Sequence, residues 1–190
     1  MSATSARGHE IRIIGGQWKR SKLKVAERPG LRPTPDRVRE TLFNWLGQDL
    51  HGWRCVDAFA GTGALGFEAA SRGAKDVRLV ESDKTLIAQL EQVKAQLGAS
   101  TVQVLRGDGV GVLKTFAGAG LELVLLDPPF DSDLYEPALQ AASQAVATTG
   151  WVYLEAPRQW NDEQLLPFQL GVHRHLKAGA VHAHLLKRTA

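Results

Sequence analysis

One cysteine and one methionine in 190 residues, and no long apolar run, set the first limits on this chain. A lone Cys55 excludes any disulfide within the chain. Its place beside Val56 in an apolar segment reads as a buried thiol. No stretch approaches the length a membrane span requires. Residues 1–6 are small and polar and lack the apolar core of a secretory leader, so they read as a frayed tail. These signs place the protein in the cytosol. There is no internal repeat and no low-complexity tract. What remains is ordinary for a globular chain, 44% hydrophobic and 23% charged, and long enough for one substantial core.

The net charge of +3 is unevenly distributed. Residues 1–40 hold ten Lys/Arg (7, 12, 19, 20, 22, 24, 28, 32, 37, 39) against four acids (10, 27, 36, 40). The other 150 residues are net acidic. A concentrated basic segment suits contact with phosphates. It divides the chain into a basic β-hairpin extension with its linker, 1–33, and a main domain, 34–190. In the extension, residues 11–14 and 23–25 pair around a basic connection that carries Trp18, and 28–33 read as an extended linker. Thr34 before Pro35 reads as a helix N-cap.

From residue 53 onward, strand and helix alternate. Strands are expected at 54–59, 77–81, 101–105, 121–126 and 151–154. Helices are expected at 63–71, 86–97, 110–116 and 135–147. Segments 172–176 and 181–186 alternate in period two, as an antiparallel hairpin at the sheet edge would. Repeated strand–helix units argue for an α/β fold with a parallel sheet covered on both faces.

The chemistry gathers where strands end. Asp127-Pro128-Pro129-Phe130 closes the apolar run 121–126. Two prolines cannot continue a central strand, so backbone carbonyls there lose their ladder partners. An exocyclic amino group has two hydrogens, which the Asp127 carboxylate and the Pro128 carbonyl can accept while Phe130 stacks on the ring. Glycines 61, 63 and 66 satisfy G-x-G-x-x-G between the first strand and its helix, and Glu81 lies twenty residues beyond Gly61. That pattern fits a nucleoside-containing cofactor. Asp57, at the end of the first strand, would repel a pyrophosphate but attract an ammonium or sulfonium. Asp108, after the third strand, is placed to accept an adenine amine.

With the glycine loop, Glu81, Asp108 and the Asp-Pro-Pro-Phe motif in this order, the chain resembles the class I S-adenosylmethionine-dependent methyltransferases. It is more closely similar to the bacterial RsmD type, which methylates the N2 amine of a guanine in 16S rRNA. That closer resemblance rests on Ile11-Arg12-Ile13-Ile14-Gly15-Gly16, on Gly30-Leu31-Arg32-Pro33-Thr34, and on the stretch from Asp36 to Leu46. The resemblance implies a doubly wound seven-stranded sheet with the last strand antiparallel. It implies S-adenosylmethionine held by Asp57, Ala58, Phe59, Gly61, Thr62, Gly63, Glu81, Ser82, Asp108 and Gly109. Asp127, Pro128 and Phe130 would serve the target base. Arg12, Lys19, Arg20, Lys22, Arg32, Thr34 and Arg37 would meet 16S rRNA or the assembling small subunit, the chain acting as a monomer without a metal. N6-adenine methylation of DNA and an NAD-dependent oxidoreductase stay open beside this reading. His173, His175, His182 and His184 fall on one hairpin; they read as solvated edge residues rather than as a zinc site.

Overall fold

The computed structural model describes residues 10–25, 28 and 31–189. The expected tail at 1–6 and most of the linker ahead of residue 31 lie outside that set. Strands β1 (Glu10–Arg12) and β2 (Lys22–Lys24) pair antiparallel, with Ile11 opposite Leu23. Strict alternation buries those two apolar residues and turns Arg12, Lys22 and Lys24 outward. The hairpin packs into the same core as Leu42, Phe67 and Leu79.

Helix α1 (Asp36–Trp45) buries Val38, Leu42 and Phe43, then stops where Gly47 takes a positive φ. Pro35, not Thr34, occupies its cap position, and no side chain caps the helix. The Thr34 hydroxyl is committed elsewhere, donating to Glu155 at 2.7 Å.

The main domain runs β3 (Arg54–Asp57), α2 (Ala64–Ser71), β4 (Asp76–Glu81), α3 (Lys84–Leu97), β5 (Val102–Arg106), α4 (Gly109–Lys114), β6 (Leu121–Leu126), α5 (Tyr135–Ala145) and β7 (Val146–Ala156). The short helix α6 (Asp162–Leu165) and a 3-10 turn lead to β8 (Leu170–Ala178) and β9 (Val181–Arg188). The seven strands lie in the order β5-β4-β3-β6-β7-β9-β8. Strands β3 to β7 are parallel, and the final strand β9 enters antiparallel between β7 and β8. The sheet is therefore the expected seven-stranded one. The chain winds outward from β3 to β5 and then returns to place β6 on the other side of β3. That reversal opens a crevice between the carboxyl ends of β3 and β6, where open α/β sheets bind ligands.

Two elements differ from the sequence reading. Strand β7 is 11 residues long and begins immediately at the end of α5. Helix α6, with a capping box between Asn161 and Gln164, was not anticipated. Among the histidines, His184 departs from expectation, whereas His173 is exposed as expected. A register shift between Val172 and Arg174 separates His173 from the others, and its ring packs tilted against Trp151 with centroids 4.9 Å apart. His184 is fully buried: its Nε2 accepts from the Trp160 N–H at 3.0 Å, which leaves Nδ1 to donate to the Leu154 carbonyl at 3.1 Å. Burial holds His184 down to about 4, so it is a neutral structural residue and not a solvated one. Among the described residues, no group of three or more His, Cys, Asp or Glu is arranged to hold a metal.

Candidate active site

A cavity of about 530 Å³ occupies the crevice. Its floor is the carboxyl ends of β3, β4, β5 and β6, through Asp57, Glu81, residues 107–109 and residues 127–130. Residues 31–34 close one side and Leu134 another. This volume lies within the range of about 300–1,000 Å³ common to small-molecule sites.

Asp57 is 1% exposed, at the last position of β3. Backbone N–H groups of Phe59 and Gly66 donate to its carboxylate, yet Oδ1 has no partner. Burial outweighs those donors and pushes the group up to about 7. An unpartnered buried carboxylate oxygen beside a cavity is a ready acceptor for a cationic ligand group.

Glu81 ends β4 and turns back over the loop. Oε2 accepts from the Gly61 N–H at 2.9 Å, and Oε1 accepts from Ser82 and Asp83 at 2.9 and 3.1 Å. Oε1 thus has both lone pairs engaged, whereas Oε2 keeps one free in a residue that lines the cavity. Asp108 is the N-cap of α4, with Oδ2 accepting from Gly111 at 2.8 Å. Gly109 follows because the loop after β3 comes so close: a Cβ there would stand 2.2 Å from the Ala58 carbonyl oxygen. Gly61 crosses the loop with φ of 54°.

Across the crevice, Asp127 is half-buried at the end of β6. Its neighbour on β7 is Glu155, 3% exposed, one step beyond the paired residues Leu126 and Leu154. Asp127 and Glu155 share a hydrogen bond. Burial, then the Glu155 charge, holds Asp127 well above the usual carboxylate range. Glu155 is raised too, by burial, against the stabilising hydroxyls of Thr34 and Tyr153 at 2.7 and 2.8 Å. The Pro128 carbonyl is buried, and the Tyr135 hydroxyl approaches it at only 3.5 Å. Arg32 lies over the Phe130 ring, 4.7 Å from its centroid.

The structure thus gathers Asp57, Ala58, Phe59, Gly61, Thr62, Glu81, Ser82, Asp108, Gly109, Asp127, Pro128 and Phe130 around one cavity, with Arg32 and Thr34 at its rim. Gly63 lies beneath it as the N-cap of α2, with φ of 81°. Arg12, Lys19, Arg20 and Lys22 lie outside the cavity wall, on the hairpin and its connection, and Arg37 is exposed on α1. Sequence reasoning missed Glu155, Tyr153 and Tyr135. Glu155 carried the same signal as Asp57 and Asp127, an acid closing an apolar strand.

The acceptors suit S-adenosylmethionine: an unpartnered Asp57 oxygen for its ammonium and a free position on Glu81 Oε2 for a ribose hydroxyl. Comparison with known proteins agrees with the architecture. The family model of conserved hypothetical protein 95 matches residues 11–187. The chain is similar to ribosomal RNA small subunit methyltransferase D of Escherichia coli strain K12, 40% identical over 183 residues, spanning 95% of this chain and 91% of that one. It is 47% identical over 133 residues to the Haemophilus influenzae protein of the same name, covering 68% and 69% of the two chains. The solved structure of yhhF from Escherichia coli superposes with a TM-score of 0.81 at 39% identity, over 96% of this chain and 99% of that one.

Proposed function

Because the chain belongs to the conserved hypothetical protein 95 family, we propose that it is an S-adenosylmethionine-dependent methyltransferase acting on the N2 amine of a guanine in 16S rRNA. The observation that carries this reading is the pairing of Asp127 and the Pro128 carbonyl across one cavity from the unpartnered Asp57 oxygen. The names of the small-subunit rRNA methyltransferases it resembles support the RNA substrate.

Bound S-adenosylmethionine would supply a methyl group already activated by its sulfonium, so the protein's work is positioning and proton handling. Asp57 would hold the ammonium, Glu81 the ribose hydroxyls, and the loop around Asp108 and Gly109 the adenine. Asp127 and Pro128 each accept one hydrogen of the guanine amine, which favours the pyramidal nitrogen whose lone pair faces the methyl. Fixing that geometry supplies much of the rate. The guanine leaves its stack at a cost of a few kcal/mol, and Phe130 offers a face worth roughly 1–3 kcal/mol in return. Arg32 already covers that face and would either move aside or sandwich the base.

The outward residues Arg12, Lys19, Arg20, Lys22 and Lys24 would grip phosphates around the target. Arg20 holds φ of 73°, a left-handed conformation costing a non-glycine residue about 1–2 kcal/mol. A basic side chain kept at such a position fits a ligand-facing role. This substrate would place the enzyme in the cytoplasm, acting as a single chain. Among the described residues, no helix is long and apolar enough to cross a membrane.

The test is methyl incorporation from labelled S-adenosylmethionine into unmodified 16S rRNA, small subunits and DNA, followed by nucleoside digestion. N2-methylguanosine from the rRNA arms is the expected product. N6-methyladenosine, or no incorporation, overturns the reading. Asp127→Ala should lower turnover by about 10²–10⁴ while cofactor affinity changes little. Near-normal turnover would remove Asp127 from the mechanism.

A further inference from the structure

Glu155 touches neither the cavity nor anything in it, yet it is among the most elaborately held acids in the chain. It sits behind Asp127 at the end of β7, 3% exposed. Its Oε1 accepts two hydroxyl hydrogen bonds, from Thr34 at 2.7 Å and Tyr153 at 2.8 Å. Thr34 comes from the segment before α1, 121 residues away in sequence. Tyr153 is fully buried, two residues back on the same strand face. Both hydroxyls point their hydrogens at one carboxylate oxygen. Glu155 follows its paired neighbour on β7 as Asp127 does on β6, so the two carboxyl groups stand side by side on adjacent parallel strands, within reach to share a proton.

Two carboxyl groups can be hydrogen-bonded only if one holds a proton. The donors from Thr34 and Tyr153 stabilise the ionised form at Glu155, so in the resting protein the shared proton sits on Asp127. Resting on the proposed methyl transfer, we infer that Glu155 is a positioning residue that makes Asp127 a base: the pair rests with one shared proton, loses it when the cationic cofactor and target amine enter, and takes one back from the methylated amine. Burial raises the proton affinity of both carboxyls, and the Glu155 charge raises that of Asp127 further. A carboxylate tuned upward in this way is a better proton acceptor near neutral pH than an ordinary one.

The atoms balance without a further reactant. The amine nitrogen forms its bond to the methyl carbon with its lone pair, while the carbon–sulfur pair stays on sulfur. The nitrogen becomes cationic; one N–H bond then breaks toward Asp127, and its electron pair returns to nitrogen. The proton received is shared with Glu155. Asp57 on β3, Arg32 beside Phe130 and Tyr135 on α5 also face the pair, with Asp131 and Arg158 beyond Tyr135. Arg32 opposes the upward shift and the acids reinforce it.

The test is the pH profile of kcat/KM, which reports the pair before the target amine enters. The wild-type rate should rise with pH as the pair loses its shared proton. Glu155→Gln keeps the shape and the acceptor for both hydroxyls but cannot share a proton as an acid. Its acid limb should move down by at least one pH unit, and its plateau should fall about tenfold. Tyr153→Phe removes a donor from the ionised Glu155, so its limb should move up instead. Opposite displacements are not what two merely structural lesions would give. Melting temperature and cofactor affinity, measured alongside, confirm that each variant is folded. A limb that stays in place in either folded variant overturns the inference. Failure of the wild-type enzyme to methylate a guanine amine would instead overturn the proposed function, so the two failures are distinguishable.

Discussion

Asp57 shows at the scale of one side chain how the site is built at the expense of the protein's own stability. Its carboxylate is taken out of water, given two backbone donors, and left with Oδ1 unpartnered. The folded protein therefore binds its proton more tightly than the unfolded chain does, up to about pH 7. The stability this contributes is fully present below the ordinary carboxylate range and is lost as pH rises through about 7. We expect the melting temperature of the cofactor-free protein to fall between pH 5 and 8, and Asp57→Asn to flatten part of that slope. The same substitution should weaken S-adenosylmethionine binding by about 10–100-fold, since a charge-assisted contact becomes a neutral one. Calorimetry in two buffers of different ionisation enthalpy should show proton release on binding below pH 7 in the wild type and less in the variant. An unchanged slope together with unchanged affinity would remove Asp57 from the cofactor site. Asp57, Glu81 and Asp127 were legible in the sequence because each is an acid closing an apolar strand. Glu155 met the same criterion, but its value comes from lying beside Asp127. That adjacency requires β7 to neighbour β6, which no local pattern states.

At the scale of elements, the hairpin and α2 are joined by one buried acid. Glu68 is 0% exposed on α2. It accepts from the backbone N–H groups of Ile14 and Gly15 at 2.9–3.2 Å, from Arg39 at 3.3 Å and from Arg72 at 3.0 Å. Arg39, itself 1% exposed, also bonds the Arg12 carbonyl and the carboxylate of Asp36. Gly16 turns beside this knot with φ of 77°, where a Cβ would stand 1.9 Å from the Ser71 carbonyl oxygen. So the glycines at 15 and 16 belong to the docking of the hairpin rather than to the cavity. Removing Glu68 leaves buried Arg72 without its carboxylate, Arg39 with Asp36 alone, and two N–H groups without acceptors, and Glu68→Ala should cost about 3–5 kcal/mol in urea unfolding. A loss below about 1 kcal/mol would show that the knot relaxes. Beyond Arg72 at i+4, nothing local marked Glu68, an acid inside an apolar helix whose other partners are 29 and more residues away. Strand β7 was half-read for a different reason. Its first half, Val146-Ala147-Thr148-Thr149-Gly150, has exposed threonines and a glycine, and a register shift against β6 breaks the alternation there. Helix α6 did carry a readable signal, the Asn161-to-Gln164 box, but its four residues are too short for periodicity to show.

For the whole molecule, the charge asymmetry was plain in the sequence and the strand order was not. Alternation in β1 and β2 converts the first into a surface: Ile11 and Leu23 anchor the hairpin inward, so its cations face out. Lys22 pairs with the exposed Glu10 at 3.5 Å, a contact worth little in water. Lys19 and Arg20 are exposed on the connection. If this face grips RNA, affinity should fall steeply with salt because bound counterions are released. Replacing Lys19, Arg20 and Lys22 together by alanine should reduce the slope of log K against log salt by about 2–3. Three properties should hardly move: cofactor affinity, the melting temperature, and kcat at saturating RNA. That separation is the point of the measurement, because the three residues lie outside the cavity wall and none bears the core. If the triple variant keeps the wild-type slope, the RNA is held elsewhere. If instead kcat falls while the slope is unchanged, the hairpin shapes the cavity and does not grip phosphates.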